Sequence, residues 1–151
     1  MIFHFFLLLQ TINLIMKLLL IYCSKFAYNP TIHTLEEFPE VTEGQTYNEA
    51  LVAFIHGELI DEDDPKGVEN KLLKNIKWAA KKNDTRNIIL HSFAHLAETK
   101  ADPKFTKEIF DKVEYRLINA DYQCAQTPFG HFLDLDLKAP GVSQARIFKS
   151  F

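Results

Sequence analysis

Two histidines four residues apart, with a serine between them, are the first place where this sequence offers chemistry. His91, Ser92 and His95 follow the short apolar run 87–90, which is typical of a strand buried on both faces. Histidine changes its charge near neutral pH, so it can act as an acid, a base or a metal ligand. Strand ends in α/β sheets are favoured positions for binding sites. His95 is therefore a candidate site residue, with a structural histidine as the alternative.

Metal chemistry would need those two histidines on one face of a helix. His91 and His95 follow a strand-like run, where this geometry fails, and no glutamate follows His91 as a zinc-protease motif requires. Cys23 and Cys124 show no metal-type spacing, and we expect two reduced thiols rather than a disulfide. The sequence therefore predicts no metal site and no cofactor.

The second candidate is the hexapeptide TPFGHF, residues 127–132. Pro128 fixes the backbone angle φ and Gly130 permits conformations that a side chain forbids, so a simple turn would explain both. His131 shares strand parity with Leu133, and a histidine at the mouth of a core-facing row reaches either a pocket or the solvent. We consider His131 a candidate proton carrier.

Other function classes have weak support. Ser92 or Ser24 beside a histidine would suit a serine hydrolase, but no G-x-S-x-G elbow is present, nor any glycine-rich nucleotide loop. The 17 basic and 20 acidic residues give a net charge of −3, which is no global nucleic-acid footprint. We expect no DNA partner, and any RNA contact must come from a local basic patch.

The elements that position these residues follow from caps and periodicity. Asp64–Pro65 and Asp102–Pro103 open two helices, each with apolar residues at helical spacing. Apolar or alternating runs predict strands over 17–24, 50–59, 87–93, 122–130 and 131–141. Breakers in 25–50 indicate irregular structure, with room for a hairpin or lid, and for the closing segment 143–151 we consider a helix.

The order of these elements predicts class α/β (α+β mixed), a mixed β-sheet with packed helices. The strand–helix–strand unit from 50 to 93 implies a parallel crossover, and the last two strands are near enough in sequence to pair antiparallel. A length of 151 residues suits a single domain, which we place at 16–151.

Residues 1–15 are strongly apolar. Polar residues interrupt them short of the roughly 20 apolar residues of a membrane span, and they lack the basic start and cleavage site of a signal peptide. Met16 precedes a lysine and a clean strand, so we expect an apolar extension outside the fold. The alternatives are an amphipathic helix or a membrane anchor, which would make this a membrane-attached interaction protein.

Five segments together resemble a known family, the archaeal-type editing domain of threonyl-tRNA synthetase in its stand-alone form. They are MKLLLIYCSKFAY, EALVAFIHGE, ILHSFAHL, AQTPFGHFLDLDLKAPG and SQARIF, in that order from Met16 onward. The resemblance implies a D-aminoacyl-tRNA deacylase-like fold, a cytoplasmic homodimer, and hydrolysis of serine wrongly attached to threonine tRNA. An ordered water would attack the ester, helped by the RNA's own 2′-hydroxyl. Because the aminoacylation core has no counterpart here, editing would occur in trans to threonyl-tRNA synthetase.

The resemblance also assigns candidate site residues, since its FAHL and PFG elements would line the pocket. The candidate catalytic residues are His95, which would orient substrate or water, and His131. The candidate substrate-binding residues are Phe54, Phe93, Ala94, Phe129, Gly130 and Phe132. The candidate tRNA contacts are Lys74, Lys77, Lys81 and Arg146, although a lysine row on a helix is also typical of a solvated face.

One departure from the family pattern matters. The family carries a lysine three residues after its PFG element and a glutamate further on, whereas here Leu133 and the stretch 144–146 occupy those places. Strand parity predicts that Leu133 puts an apolar group where the pocket should be. The alternative function is therefore a catalytically degenerate module that binds an aminoacyl-adenosine or a nucleoside.

Overall fold

The computed structural model describes residues 15–151, where a six-stranded sheet carries two helices. The strands are β1 (Lys17–His33), β2 (Gln45–His56), β3 (Asn87–Ser92), β4 (Gln123–Gln126), β5 (His131–Lys138) and β6 (Arg146–Ser150). The helices are α1 (Pro65–Lys82) and α2 (Pro103–Asn119), and short 3₁₀ helices cover Leu59–Asp63 and Ser143–Ala145. The predicted mixed sheet with packed helices is confirmed.

The strand order is β4-β3-β2-β1-β5, and β6 pairs with the first part of β1. β2, β3 and β4 are parallel, while β1 runs antiparallel to β2, β5 and β6. Parallel strands bring their C-terminal ends to one edge of a sheet, which is where sites in such folds form. The ends of β2 and β3, at His56 and Ser92, therefore lie side by side.

The segment predicted to be irregular is mostly strand. Residues 25–33 continue β1 and residues 45–50 belong to β2, so only 34–44, which we call the covering loop, is free of regular structure. Pro30 looked like a breaker, but β1 has a bulge between Pro30 and Ile32 where it pairs with β5. Proline is tolerated at a bulge because the ladder there already lacks a hydrogen bond.

Two apolar cores lie on the two faces of the sheet. The first holds the helices, with Ile76 of α1 and Val113 of α2 packed among sheet residues such as Leu90. The second contains Phe26, Val52, Phe54, Ile89 and neighbouring residues. β1 contributes to both, since Leu18 and Leu20 lie in the first core and Cys23 and Phe26 in the second. This long strand therefore contacts both cores.

Both helices begin where the sequence predicts. The Asp64 carboxylate accepts a hydrogen bond from the Gly67 amide at 3.1 Å, and Asp102 accepts one from the Lys104 amide at 2.8 Å. A proline follows each cap at the first helical position, where its missing N–H has no helical partner to lose. These local signals fix the residue at which each helix begins.

Two predictions for the C-terminal third are wrong. β4 and β5 do not pair with each other, because β4 runs parallel to β3 while β5 crosses to the far half of β1. The predicted strand 122–130 shortens to Gln123–Gln126, and the turn that follows redirects the chain. The closing segment is not helical beyond the short 3₁₀ turn, since Arg146–Ser150 forms a strand along β1.

Met16 is fully buried at the start of β1. Its amide donates to Asp61 Oδ1 at 3.4 Å, and its carbonyl accepts from the Phe151 amide at 2.9 Å. The apolar extension predicted for residues 1–15 lies outside the described residues, apart from Ile15. Within 15–151 neither helix combines the length and apolar character needed to cross a bilayer.

Candidate active site

A cavity of about 290 Å³ opens at the C-terminal ends of β2 and β3. Its walls come from the turn after β3, the first turn of α2, residues 127–132 and the start of the covering loop. The two stretches that the sequence singled out, 91–95 and 127–132, are thus brought together. A volume at the lower end of the roughly 300–1,000 Å³ seen for ligand sites suits a small substrate group.

His95 sits in the turn that follows β3. The rings of His91, Phe93 and His95 succeed one another, with centroids 5.9 Å and then 5.0 Å apart. The His95 side chain is exposed at the cavity, and its ring nitrogens make no hydrogen bond to any other residue of the described chain. They are therefore available to a substrate or a water.

Hydrogen bonds to a buried histidine, His56, hold the segment 93–101 that carries His95. His56 Nδ1 accepts from the Leu96 amide at 3.2 Å, so the proton of the neutral ring lies on Nε2. His56 Nε2 is 2.7 Å from both Glu58 Oε1 and the Thr99 carbonyl. The Thr99 hydroxyl donates to Glu58 Oε2 at 2.8 Å. We call His56, Glu58 and Thr99 the clamp.

The same segment places a cation at the cavity. Lys100 is exposed and lines the cavity wall, and it is the one lysine among the described residues that form this wall. Its ammonium makes no ion pair or hydrogen bond within the part of the chain that the structure describes. It is therefore free to meet a phosphate or a developing negative charge.

Gly130 joins the opposite wall to the covering loop. Its φ of +79° favours glycine, and its carbonyl accepts from the amides of Thr34 at 2.7 Å and Leu35 at 3.2 Å. A Cβ at position 130 would lie 3.0 Å from the Leu35 Cβ. Phe38 packs edge-on against Phe129, with ring centroids 4.8 Å apart. The covering loop is thus docked on the turn and supplies Thr34 and Leu35 to the cavity.

His131 lines the cavity, but backbone groups occupy both of its ring nitrogens. Nε2 accepts from the Val41 amide at 3.0 Å, so Nδ1 carries the proton that it donates to the Phe129 carbonyl at 3.1 Å. The ring also stacks on His33, with centroids 4.6 Å apart. The His131 ring therefore holds the covering loop through the Val41 amide.

His91 forms part of the cavity floor. Its Nδ1 lies 2.8 Å from the Thr127 hydroxyl, and it contacts the ring of Phe54 edge-on at 5.1 Å. Burial, together with the nearby His95, lowers the pKa of His91 to about 4. This ring is therefore neutral at neutral pH and acts as a fixed hydrogen-bonding wall.

The structure places the remaining candidates as follows. Ala94, Phe129 and Phe132 line the cavity with His95, Gly130 and His131, whereas Phe54 and Phe93 pack in the second core. Lys74 and Lys81 are exposed on α1, Lys77 is partly buried there, and the exposed Arg146 donates to the Pro140 carbonyl at 2.8 Å. Sequence reasoning missed Lys100 as a cavity wall. The stretches 91–95 and 127–132 contain His91, Ser92 and Thr127 but did not assign them as binding residues, and the covering loop lies in the segment for which a lid was considered.

Leu133 does not line the cavity, contrary to the expectation from strand parity. Its side chain packs against the second core. β5 pairs with the far half of β1, where Leu133 lies opposite Pro30, so the core that this side chain meets is the second core and not the cavity. Position 133 therefore neither supplies nor blocks a charge in this cavity.

Serine and metal chemistry gain nothing from the geometry. Ser92 lines the cavity, but within the described chain neither it nor Ser24 is hydrogen bonded to a histidine, and the Ser24 hydroxyl donates to the Lys138 carbonyl at 3.1 Å. No group of three or more histidine, cysteine, aspartate or glutamate side chains within residues 15–151 is arranged to hold a metal ion.

Comparison with known families decides what kind of domain carries this cavity. The model of the archaea-specific editing domain of threonyl-tRNA synthetase matches residues 16–151. The chain belongs to this family. The match covers both cavity walls, the clamp and the covering loop, and it confirms the resemblance seen in the sequence.

Curated relatives of this editing domain are threonine–tRNA ligases. The ligase of Thermococcus sibiricus is 28% identical over 138 residues, and that of Pyrococcus horikoshii is 29% identical over 138 residues. Each match covers 89% of this chain and 22% of the ligase. The editing domain described here thus spans about a fifth of the length of the enzymes that it resembles.

A solved structure shows the same fold. The c-Myc DNA unwinding element binding protein superposes with a TM-score of 0.61 at 10% identity, over 89% of this chain and 98% of that chain. At such identity the likeness concerns the fold alone. It confirms the expected D-aminoacyl-tRNA deacylase-like fold.

Proposed function

We propose that this editing domain is an aminoacyl-tRNA deacylase that acts in trans and removes serine from threonine tRNA. The observation that carries the proposal is the convergence of two polar side chains without hydrogen-bond partners in the described chain, His95 and Lys100, on one small cavity. Membership of the editing-domain family supports the class of substrate. A seryl ester on a terminal ribose is small, polar and close to phosphate, which suits such a cavity.

The proposed reaction is ester hydrolysis by water. A water oxygen attacks the seryl carbonyl carbon, the bond from that carbon to the ribose oxygen breaks, and the ribose oxygen takes up a proton as serine leaves. His95 orients the water or the ester, and the 2′-hydroxyl of the RNA assists proton transfer. Negative charge develops on the carbonyl oxygen, and a positioned cation such as Lys100 stabilises it. The clamp holds both side chains in place, which keeps their geometry productive.

The test is deacylation of seryl-tRNA(Thr) by the full chain and by three variants. We expect H95A to lower kcat/KM about 100-fold or more and K100A about 100- to 1,000-fold, within the range of single positioned groups in catalysis. K112A is the matched control, because Lys112 is an exposed lysine of α2 that does not line the cavity. Activity no greater than that of buffer, on seryl- and D-aminoacyl-tRNA alike, would remove the proposal.

The alternative is a module that keeps the fold and binds an aminoacyl-adenosine or nucleoside without turnover. It is favoured by His131, whose ring nitrogens are both occupied, so that among the cavity histidines of the described chain only His95 has both ring nitrogens without a hydrogen bond. This alternative predicts saturable binding of a non-hydrolysable seryl-adenosine analogue with no hydrolysis. L133K is not expected to restore activity, because position 133 faces the second core.

The remaining partners are also part of the proposal. The proposed source of the charged tRNA is threonyl-tRNA synthetase, so that the two act in sequence in the cytoplasm. Exposed apolar side chains on β5 support a homodimer, and Lys74, Lys77, Lys81 and Arg146 are proposed tRNA contacts.

A further inference from the structure

The exposed face of α1 carries positive charge without compensation. Residues 70–83 contain five lysines and no acidic residue, and the first acid beyond them, Asp84, follows the end of the helix. None of these lysines forms an ion pair in the described chain, while the molecule as a whole is negative. The positive charge is therefore concentrated on this helix, in contrast to the net negative charge of the whole chain.

A tryptophan lies at the centre of this face. Trp78 is 43% exposed, although tryptophan is usually buried. Four of its neighbours at helical spacing of three, four or seven residues are basic: Lys71, Lys74, Lys81 and Lys82. The Lys82 ammonium lies 4.5 Å from the centroid of the indole ring.

A second element completes the arrangement. Lys149 of β6 reaches the same indole, with its ammonium 5.2 Å from the ring centroid. Lys82 and Lys149 are 67 residues apart in sequence, and only the pairing of β6 with β1 brings them together. The tertiary structure thus places two cations around one accessible aromatic ring. We call Trp78, Lys82 and Lys149, with Lys71, Lys74 and Lys81, the basic platform.

An exposed indole ring surrounded by ammonium groups favours one class of ligand, a single-stranded nucleic acid. Aromatic rings that remain exposed among lysines stack nucleobases, and the surrounding ammonium groups bind the phosphates on either side. Binding to a lipid surface requires an apolar helix face around the tryptophan, whereas the positions around Trp78 are mostly lysines. An acidic peptide would use the charges but leave the indole without a partner.

We propose that the basic platform binds the single-stranded 3′ end of tRNA, with an unpaired base on Trp78 and phosphates on Lys82 and Lys149. The proposal rests on the proposed function for the identity of the RNA. α1 begins eight residues after Gly57, which lines the cavity, and Trp78 lies about 20 Å further along the helix axis. A few single-stranded nucleotides span such a distance, so the platform holds the strand whose esterified end enters the cavity.

The experiment uses Trp78 as its own probe, because it is the only tryptophan in the chain. The full chain is titrated with uncharged threonine tRNA, with the same tRNA lacking its unpaired 3′ nucleotides, with heparin and with anionic lipid vesicles. We expect saturable quenching of tryptophan fluorescence by intact tRNA and much weaker quenching by the other three. Equal quenching by heparin, by truncated tRNA or by vesicles would overturn the proposal of base stacking.

Two sets of variants separate stacking from charge, with affinity measured by filter binding. W78L should weaken tRNA binding roughly 5- to 150-fold with little change in its salt dependence. K82Q/K149Q should lower the slope of log K against log salt by about 1.4, at about 0.7 for each phosphate that is no longer neutralised. K112Q/K138Q removes the same charge from exposed sites elsewhere and should bind as the parent does. Equal losses of affinity in both double variants would contradict a defined platform.

The outcomes distinguish this proposal from the proposed function. Hydrolysis of seryl-tRNA with no change in tryptophan fluorescence would overturn the platform and leave the deacylase standing. Quenching by intact tRNA without hydrolysis would support the platform and count against the deacylase.

Discussion

The histidines at this end of the sheet differ because their ring nitrogens have different neighbours. His56 is locked by Leu96 and the clamp, and His131 by two backbone groups. His91 is buried against the Thr127 hydroxyl, whereas His95 is exposed and makes no hydrogen bond in the described chain. Histidine thus has three roles here. His56 and His131 hold loops in place, His91 forms a neutral part of the cavity floor, and His95 is available to a substrate.

His91 should make stability depend on pH. Burial lowers its pKa from 6.5 to about 4, so between these values the unfolded chain binds a proton that the folded chain does not. Stability from this source is complete above pH 6.5 and is lost as pH falls toward 4, by about 2 kcal/mol at pH 5. Urea unfolding at pH 7.5 and pH 5 measures the loss. H91N should lose less than the parent over the same interval, and an equal loss would show that other groups cause it.

At the scale of elements, two loops build the cavity on an otherwise regular sheet. The covering loop, 34–44, is hydrogen bonded to the Gly130 carbonyl and the His131 ring. The segment 93–101 is hydrogen bonded to His56 of the clamp. Each is fixed by side chains or carbonyls of strands that end at the same edge. The rigid sheet thus transmits its geometry to loops that carry the chemistry.

Gly130 should be intolerant of any side chain. G130A combines a left-handed φ with a Cβ 3.0 Å from the Leu35 Cβ, so we expect a loss of about 1–3 kcal/mol and a fall in Tm of several degrees. Displacing Leu35 should also raise KM for deacylation. G141A is the control, because nothing lies within 4 Å of a Cβ there, and its stability should change by less than about 0.5 kcal/mol. Similar losses in both variants would contradict the docking of the loop.

Removing the clamp histidine should loosen one loop more than the fold. H56A leaves the Leu96 amide, the Thr99 carbonyl and the Glu58 carboxylate without their shared partner, at a local cost of about 1–3 kcal/mol. Hydrogen exchange of the Leu96 amide should accelerate about 5- to 150-fold, while the Ile89 amide in β3 changes less. Equal acceleration at both sites would instead indicate a general loss of stability.

At the scale of the whole molecule, β5 is the edge of the sheet with an incomplete cover. It pairs with β1 on one side, and Leu135 and Leu137 are each 38% exposed on the face that Leu133 begins. Exposed apolar edges invite association with another strand or sheet. A second copy of the chain would cover this surface.

The homodimer is therefore testable at β5. The parent chain should sediment as a dimer, and L135K/L137K should shift it to a monomer with little change in Tm, because both side chains are already partly exposed. I118K is the control, since Ile118 is a 50% exposed apolar residue on α2. A monomeric parent, or dissociation by I118K as well, would contradict this interface.

The sequence by itself determined whatever depends on near neighbours. Asp64–Pro65 and Asp102–Pro103 specified both helix starts, because caps and proline act within one turn of the chain. Apolar periodicity located the buried faces of α1 and α2, and the FAHL and PFG elements identified the family and the two stretches that meet at the cavity.

Only the tertiary structure decided which distant segments meet. Residues 25–33 look irregular until β5 supplies a partner strand, and this pairing places Leu133 against the second core. The locking of His131 by Val41 and the approach of Lys149 to Trp78 join segments separated by many residues. Such contacts depend on which surfaces become adjacent when the sheet forms, and the local propensities of the residues do not specify this.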